Sequence, residues 1–390
     1  MPDLPEGWRR VRVADIATVV GGGTPSTRDA ANFGGSVPWL TPKDLSDRPA
    51  RFTRGGSRSL TTKGLAACGA QLLPAGSVLV SSRAPIGLVT IAANPISTNQ
   101  GFRSLVLRGD EVPEFLYYLL TSRTADLEAR ANGTTFKEIS GSSLKGVEVL
   151  LPPASDQRRI ADLLGALDDK IEANRALAAR LQDLVVAEVR ARENETWSAQ
   201  SVSSLAKFVN GGAYTNGATG TGRMVIRIAE LNSGPGPSTV YNDLDVPDDK
   251  LARRGDLLMS WSGSLGVYRW VRDEAIINQH IFKVICSTYP RWLVFAKLRE
   301  ALPEFQQIAA DKATTMGHIK RHHLDDTRVQ LPPPGEVASL DTQVGPLWDR
   351  LIVAEHESLT LAALRDTLLP ELLSGRLRIA QPRPGTGGVA

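Results

Sequence analysis

The chain, 390 residues long, reads as an α+β protein with two related globular domains of mixed helix and strand, separated by two long antiparallel helices that pair as a coiled coil. Three observations predict this. Motifs recur in order at an offset near 180 residues, a proline cluster closes each copy, and an apolar heptad pattern follows each cluster.

The recurrence is local but ordered. Trp8 opens one copy and Trp197 the other, and Gly21-Gly22 pairs with Gly211-Gly212. At offset 179, Gly76 to Ser82 aligns with Gly255 to Trp261, Gly87 with Gly266, and Asn99-Gln100 with Asn278-Gln279. At offset 180, Thr134-Thr135, Ile139, Leu144 and Leu151-Pro152-Pro153 align with Thr314-Thr315, Ile319, Leu324 and Leu331-Pro332-Pro333. Duplication of one module is the simplest account.

Within a copy, Ser77 to Ser81, Gly87 to Ala92 and Ser104 to Leu107 are rich in Val, Ile and Leu and bounded by Gly, Pro and Asn, which predicts strands. Glu114 to Asn132 and Pro290 to Ala310 carry helical spacing, as in Phe115, Leu116, Leu119 and Leu120. The clusters Pro152-Pro153 and Pro332-Pro333-Pro334 end each copy and free the next segment to start a helix.

After each cluster the apolar residues alternate four and three apart. Ile160, Leu164, Leu167, Ile171, Leu181 in the first helix and Leu340, Val344, Leu347, Leu351, Leu361 in the second would form the seam, with Asn174 as a polar residue that sets register. The short link Asn194-Glu195-Thr196 forces the two helices to run antiparallel if they pack together. From Ile160 to Val185 the rise is about 38 Å, close to the ~34 Å of one turn of B-DNA. The expected boundaries are 1–153 for the first globular domain, 154–195 for the first helix, 196–333 for the second domain, 334–375 for the second helix and 376–390 for a flexible tail.

Charge is divided unevenly. Residues 1–153 hold 17 basic and 13 acidic groups and 197–333 hold 16 and 13, whereas 154–196 hold 7 and 9 and 334–390 hold 5 and 7. From Arg48 to Gly109 there are eight basic residues (Arg48, Arg51, Arg54, Arg58, Lys63, Arg83, Arg103, Arg108) and no acid, the pattern a phosphate-facing surface needs. A solvated basic surface fits the same residues. No run of about 18 apolar residues occurs, and the first residues lack the basic and apolar regions of a leader, so a cytoplasmic chain without membrane contact is expected. Cys68 and Cys286 form neither a disulfide framework nor a zinc knuckle and are expected as buried thiols.

Catalytic signatures are missing. Methylation of a base amine needs Asn or Asp followed by Pro-Pro-aromatic, but Asn94-Pro95 is followed by Ile96-Ser97. There is no Gly-Lys-Ser or Gly-Lys-Thr for a P-loop, and no acid-x-Lys follows Pro247-Asp248 at a spacing suited to a nuclease. His318, His322 and His323 flank Lys320 and Arg321; no nearby Cys or Glu completes a metal site, so a phosphate-facing or base-facing patch is the preferred reading. Gly21-Gly22-Gly23-Thr24-Pro25 lacks the Rossmann spacing.

The order Leu4-Pro5-Glu6-Gly7-Trp8, Gly22-Gly23-Thr24-Pro25, Val37-Pro38-Trp39, Ser82-Arg83-x-x-Ile86-Gly87 and Asn99-Gln100-Gly101 resembles the target-recognition domain of the specificity subunit of type I restriction-modification enzymes. Gln157-Arg158-Arg159-Ile160 through Asn174 resembles that family's first central helix, and Leu369-Pro370-Glu371-Leu372-Leu373-Ser374-Gly375 the end of its second. The resemblance implies a non-catalytic subunit in which each globular domain reads one half of a split, asymmetric site in double-stranded DNA. It also implies that the helices bind two modification (methyltransferase) subunits, that restriction and translocase subunits join them, and that S-adenosylmethionine, ATP and Mg are used by those partners, with no cofactor or metal held by this chain. A methylation-only phage-defence system, or a coiled-coil scaffold binding proteins, are the alternatives.

The candidate DNA-contacting residues in the first domain are Thr24, Ser26, Arg28, Lys43, Ser82, Arg83, Gln100 and Lys137, with Arg51, Arg54 and Arg58 from the acid-free stretch. In the second they are Tyr214, Asn216, Trp261, Ser262, Gln279, His318, Lys320 and Arg321. The amides of Asn99, Gln100, Asn278 and Gln279 would equally well satisfy loop backbone. The second copy departs from the first, with Tyr214-Thr215 in place of Thr24-Pro25 and Trp261-Ser262 in place of Ser82-Arg83.

Overall fold

The computed structural model describes residues 4–47, 50–133, 137–311 and 317–380. Arg48, Thr134-Thr135, Thr314-Thr315 and residues 381–390 of the expected tail lie outside the described residues. The architecture is α+β. The chain forms two compact units, Met1–Asp168 with Ala363–Ala390 and Asp169–Ala362. The long helices α1 (Ala154–Arg192) and α2 (Pro334–Ser374) each contribute to both.

In the first unit a five-stranded sheet runs in the order Ala17–Gly21, Phe102–Leu107, Val78–Ser81, Val89–Ala92, Phe52–Thr53. A second sheet sets Phe33–Leu40 between an antiparallel Arg58–Leu60 and a parallel Ser97–Thr98. The strand Arg9–Arg12 pairs antiparallel with Glu148–Leu151, so the two ends of the globular segment are tied together before α1 begins. The core gathers Val78, Val80, Leu105, Phe115, Leu120 and Ile139 with Ile160 and Leu164 of α1 and Leu372 and Leu373 of α2. A polar network also fastens the domain to the helices. Tyr118 donates to Asp168 Oδ2 at 2.7 Å and accepts from Arg51 at 3.1 Å, while Asp168 Oδ1 accepts from Arg365 at 2.7 Å. Burial, reinforced by the Asp168 carboxylate, pushes the Tyr118 phenol far above its ordinary range, so it stays a donor.

The second unit repeats the plan. Its main sheet is ordered Lys207–Asn210, Ile281–Ile285, Leu257–Ser260, Gly266–Arg269. Its second sheet sets Arg223–Ile226 between an antiparallel Val240–Asn242 and a parallel Ala275–Ile277. Ser198–Ser201 pairs antiparallel with Arg328–Leu331. The core joins Leu257, Met259, Trp292, Phe295 and Phe305 to Val185 and Val189 of α1 and Leu340, Val344 and Trp348 of α2. Here Arg269 plays the fastening part. Its guanidinium donates to both oxygens of Glu355 on α2 (3.1 and 2.6 Å) and to Gln182 on α1 (2.9 Å), and lies over the Phe295 ring at 4.6 Å.

Of the expected seam residues, Ile160, Leu164, Ile171, Leu181, Leu340, Val344 and Leu351 are buried, whereas Leu167, Leu347 and Leu361 are half-buried. Beside Leu347 the buried position is Trp348, because there α2 faces the globular core and the indole packs 5.2 Å from the Phe295 ring. Asn174 is 2% exposed and donates to Glu357 at 2.8 Å. Together with the Arg192 to Gln343 bond of 2.7 Å, this runs the two helix segments of the second unit antiparallel.

Two expectations change. The helix expected over 114–132 is interrupted: Pro113–Thr121 and Thr124–Ala129 are separate, because Arg123 leaves helical geometry to donate to the Glu148 carbonyl while Thr124 bonds back to Thr121. The thiols of Cys68 and Cys286 are half-buried. Burial, opposed by Arg291 and aided by Asp256, pushes that of Cys286 up to about 11. Among the described residues no helix is long and apolar enough to cross a membrane.

Candidate nucleic-acid interface

In each unit three segments converge at one end of the main sheet. The first is a hairpin tip. Ser81 Oγ accepts from the Leu88 amide (2.8 Å) and donates to the Pro85 carbonyl (2.7 Å), and Ser260 does the same with Gly266 (2.9 Å) and Ser264 (2.7 Å). This closes the loop and presents the next two residues, Ser82-Arg83 or Trp261-Ser262. The second segment is the Asn-Gln turn. The Ser82 amide donates to Gly101 at 2.7 Å, and that of Trp261 to His280 at 3.2 Å. The third enters through the amides of Ile139 and Ile319, which donate to the Ser82 and Trp261 carbonyls, each at 2.9 Å.

Glycines allow a fourth segment to press against the turn. A Cβ on Gly22 would lie 2.0 Å from the Asn99 carbonyl oxygen, and one on Gly211 would lie 2.2 Å from that of Asn278. The next amides, Gly23 and Gly212, donate to Thr98 (2.9 Å) and Ile277 (3.0 Å). Structurally, then, Gly211-Gly212 corresponds to Gly22-Gly23, one residue beyond the pairing with Gly21-Gly22 read from the sequence. Trp39 Nε1 donates to the Gly23 carbonyl at 3.2 Å and so holds this loop in place.

The side chains at these equivalent positions differ. In the first unit Thr24 donates to Gln100 Oε1, and Glu138 bridges Arg83 (2.9 Å) and Arg103 (2.7 Å). Lys137 is the exposed neighbour of Glu138, and Ser82 Oγ is buried without a hydrogen-bond partner among the described residues. Asn99 accepts from the Gly101 amide at 2.9 Å and thus serves its own turn. In the second unit Ser262 meets His280 Nδ1 at 3.0 Å, Gln279 Nε2 meets His280 Nε2 at 3.2 Å, and the Trp261 and His280 rings lie 5.4 Å apart. Ser262 bridges to His318 through the backbone. Arg321 is exposed, donating to the Phe208 carbonyl at 2.8 Å, with Lys320 exposed beside it. His323 is turned inward and accepts from the Lys320 amide at 3.0 Å.

Thr24, Ser82, Arg83, Gln100 and Lys137 are thus gathered in the first unit, and Trp261, Ser262, Gln279 and His318 in the second. Ser26 and Arg28 are exposed on the loop leaving Gly23, and Lys43 on the helix Pro42–Asp47, whose Pro42 abuts Gly101. Tyr214 packs by the second sheet, with its carbonyl accepting from Asn242 at 2.9 Å, and Asn216 is exposed nearby; no described contact joins them to the Trp261 group. Arg54 and Arg58 are exposed, Arg58 lying 3.7 Å over the Phe33 ring, whereas Arg51 is turned toward Tyr118 and α1. Glu138, Arg103 and His280 were not selected from sequence. For His280 a signal existed, since it stands where the first copy has Gly101. Among the described residues no group of three His, Cys, Asp or Glu is placed to hold a metal ion.

Residues 5–183 match the family described as type I restriction modification DNA specificity domain. The MjaIX specificity subunit of Methanocaldococcus jannaschii is 29% identical over 97% of this chain and 95% of its own length. The EcoKI specificity subunit of Escherichia coli K12 is 22% identical over 96% of this chain and 89% of its own. The solved S subunit of the type I restriction-modification system of M. genitalium shares the fold at a TM-score of 0.63, with 15% identity over 96% of this chain and 97% of that one. The chain is therefore similar, over nearly its whole length, to the specificity subunits of type I restriction-modification enzymes.

Proposed function

We propose that each globular domain, 1–153 and 196–333, reads one half of a bipartite, asymmetric DNA site, and that α1 and α2 pair as an antiparallel coiled coil that sets the unread spacer and docks two methyltransferase subunits. The observation that carries this reading is the duplicated interface: one backbone framework, built twice, with different polar side chains at equivalent positions. Two readers of one design but different chemistry suit two unlike half-sites. The candidate contacts named above supply base readout, while Arg54, Arg58, Lys43, Lys137, Lys320 and Arg321 supply phosphate attraction. The chain itself carries out no methyl transfer or cleavage. It works in the cytoplasm with modification and restriction partners, which use S-adenosylmethionine, ATP and Mg.

Exchanging residues 197–333 for the matching domain of a relative, followed by mapping of methylated sites in cells, tests the reading. One half-site should change while the other half and the spacer persist. A change in both halves would mean that the domains read jointly, and an altered spacer would mean that the globular domains measure the distance.

A further inference from the structure

The two copies carry a glutamine at the same place in the same turn, Gln100 and Gln279, and both side chains are exposed. Their neighbours engage different ends of the amide and so leave different hydrogen-bonding faces. The Thr24 hydroxyl occupies one lone pair of Gln100 Oε1, and among the described residues the amide nitrogen keeps both hydrogens for an outside acceptor. In Gln279 it is the nitrogen that is engaged. It meets His280 Nε2 at 3.2 Å, and because an amide nitrogen only donates, Nε2 must be the accepting, unprotonated nitrogen. The imidazole proton then sits on Nδ1 and is donated to Ser262 Oγ at 3.0 Å. The Trp261 ring, 5.4 Å away, limits swinging of the imidazole. Gln279 is left with Oε1 and one N–H, an acceptor beside a donor.

In the major groove adenine offers the N6 donor beside the N7 acceptor, whereas guanine offers two acceptors, O6 and N7. Building on the half-site reading above, we propose that Gln279 reads an adenine in one half-site and Gln100 a guanine in the other. His280 and Ser262 act as positioning residues that set the face Gln279 presents, and Thr24 does so for Gln100. The duplicated framework thus changes its base preference through the neighbours of a shared glutamine and not through the glutamine itself.

The test maps methylated sites in cells carrying the full chain with its modification partner, for wild type and for Gln279→Ala, Gln100→Ala, His280→Ala and His280→Gln. Gln279→Ala should lower the preference at one A·T position of one half-site by about 10- to 100-fold, the worth of a bidentate base contact, and leave the other half unchanged. Gln100→Ala should do the same at one G·C position of the other half. His280→Ala should relax the same A·T position, and His280→Gln should retain it, because its side-chain oxygen accepts the same amide hydrogen. A merely structural histidine would alter total methylation without singling out one position. Relaxation at a G·C position by Gln279→Ala, or unchanged preferences in both glutamine variants, overturns the inference. Failure of the underlying reading looks different: the wild type would then show no two-part site at all.

Discussion

Replacing Arg269 by Met should loosen the second unit at the point where its globular part meets both helices. The Arg269 side chain is 10% exposed and holds that of Glu355, itself 24% exposed, through two hydrogen bonds, besides its bond to Gln182 and its stacking on Phe295. Removing one partner of a buried pair costs about 3 to 5 kcal/mol, mostly because the other charge is stranded. Partial exposure of Glu355 screens that charge and places the expected loss at the lower end, about 3 kcal/mol, or roughly 150-fold in the unfolding equilibrium. Met keeps much of the apolar stem and limits the cavity. Urea unfolding of the full chain, followed by tryptophan fluorescence, reads the effect, since the Trp348 ring lies 5.8 Å from the guanidinium. The double variant Arg269→Met with Glu355→Leu removes the stranded charge and should recover most of the loss. Equal destabilisation of the single and double variants would refute the electrostatic reasoning and leave lost packing as the cause.

The glycine contacts predict that Gly22→Ala and Gly211→Ala each destabilise their own unit by about 1 to 3 kcal/mol, because the new methyl meets fixed carbonyl oxygens, whereas Gly69→Ala, where a Cβ meets nothing within 4 Å, should be near neutral; calorimetry of the three variants compares them directly. Neutralising Arg54 and Arg58 should weaken specific and random DNA alike and reduce the log-log salt slope by up to about one unit per lost phosphate contact. Arg51 is kept in that experiment, since its guanidinium serves Tyr118, and a titration across salt concentrations with an unchanged slope would assign the exposed pair to a solvated surface.

Much of the architecture was legible because it rests on periodicity and repetition. The heptad from Ile160 to Val185 and its counterpart from Leu340 marked the helices, and the shared Gly, Ser and Asn-Gln motifs marked the two equivalent loops. The details that depend on one side chain meeting another were not legible. Nothing in the spacing of Arg51 distinguishes an inward guanidinium from those of Arg54 and Arg58, because the decision lies with Tyr118 and Asp168, many residues away. Likewise the break at Arg123 follows from a distant carbonyl on Glu148, which local helix propensity cannot register. Gln100 and Gln279 align in sequence, yet their accessible atoms are set by Thr24 and His280, whose contacts appear only in three dimensions.

The course of the chain through the two units bears on synthesis at the ribosome. The second unit is one continuous stretch, Asp169–Ala362, so all of its core has emerged by the time that stretch is complete. The first unit is split: Leu372 and Leu373, which fill its core alongside Ile160 and Leu164, come from the far end of the chain. The domain made first is therefore the one whose core is finished last, and until about residue 373 has left the ribosome its apolar surface stays uncovered, the condition under which a nascent chain aggregates or requires a chaperone. A message cut short near its 3′ end would yield a complete second unit attached to an unfinished first one.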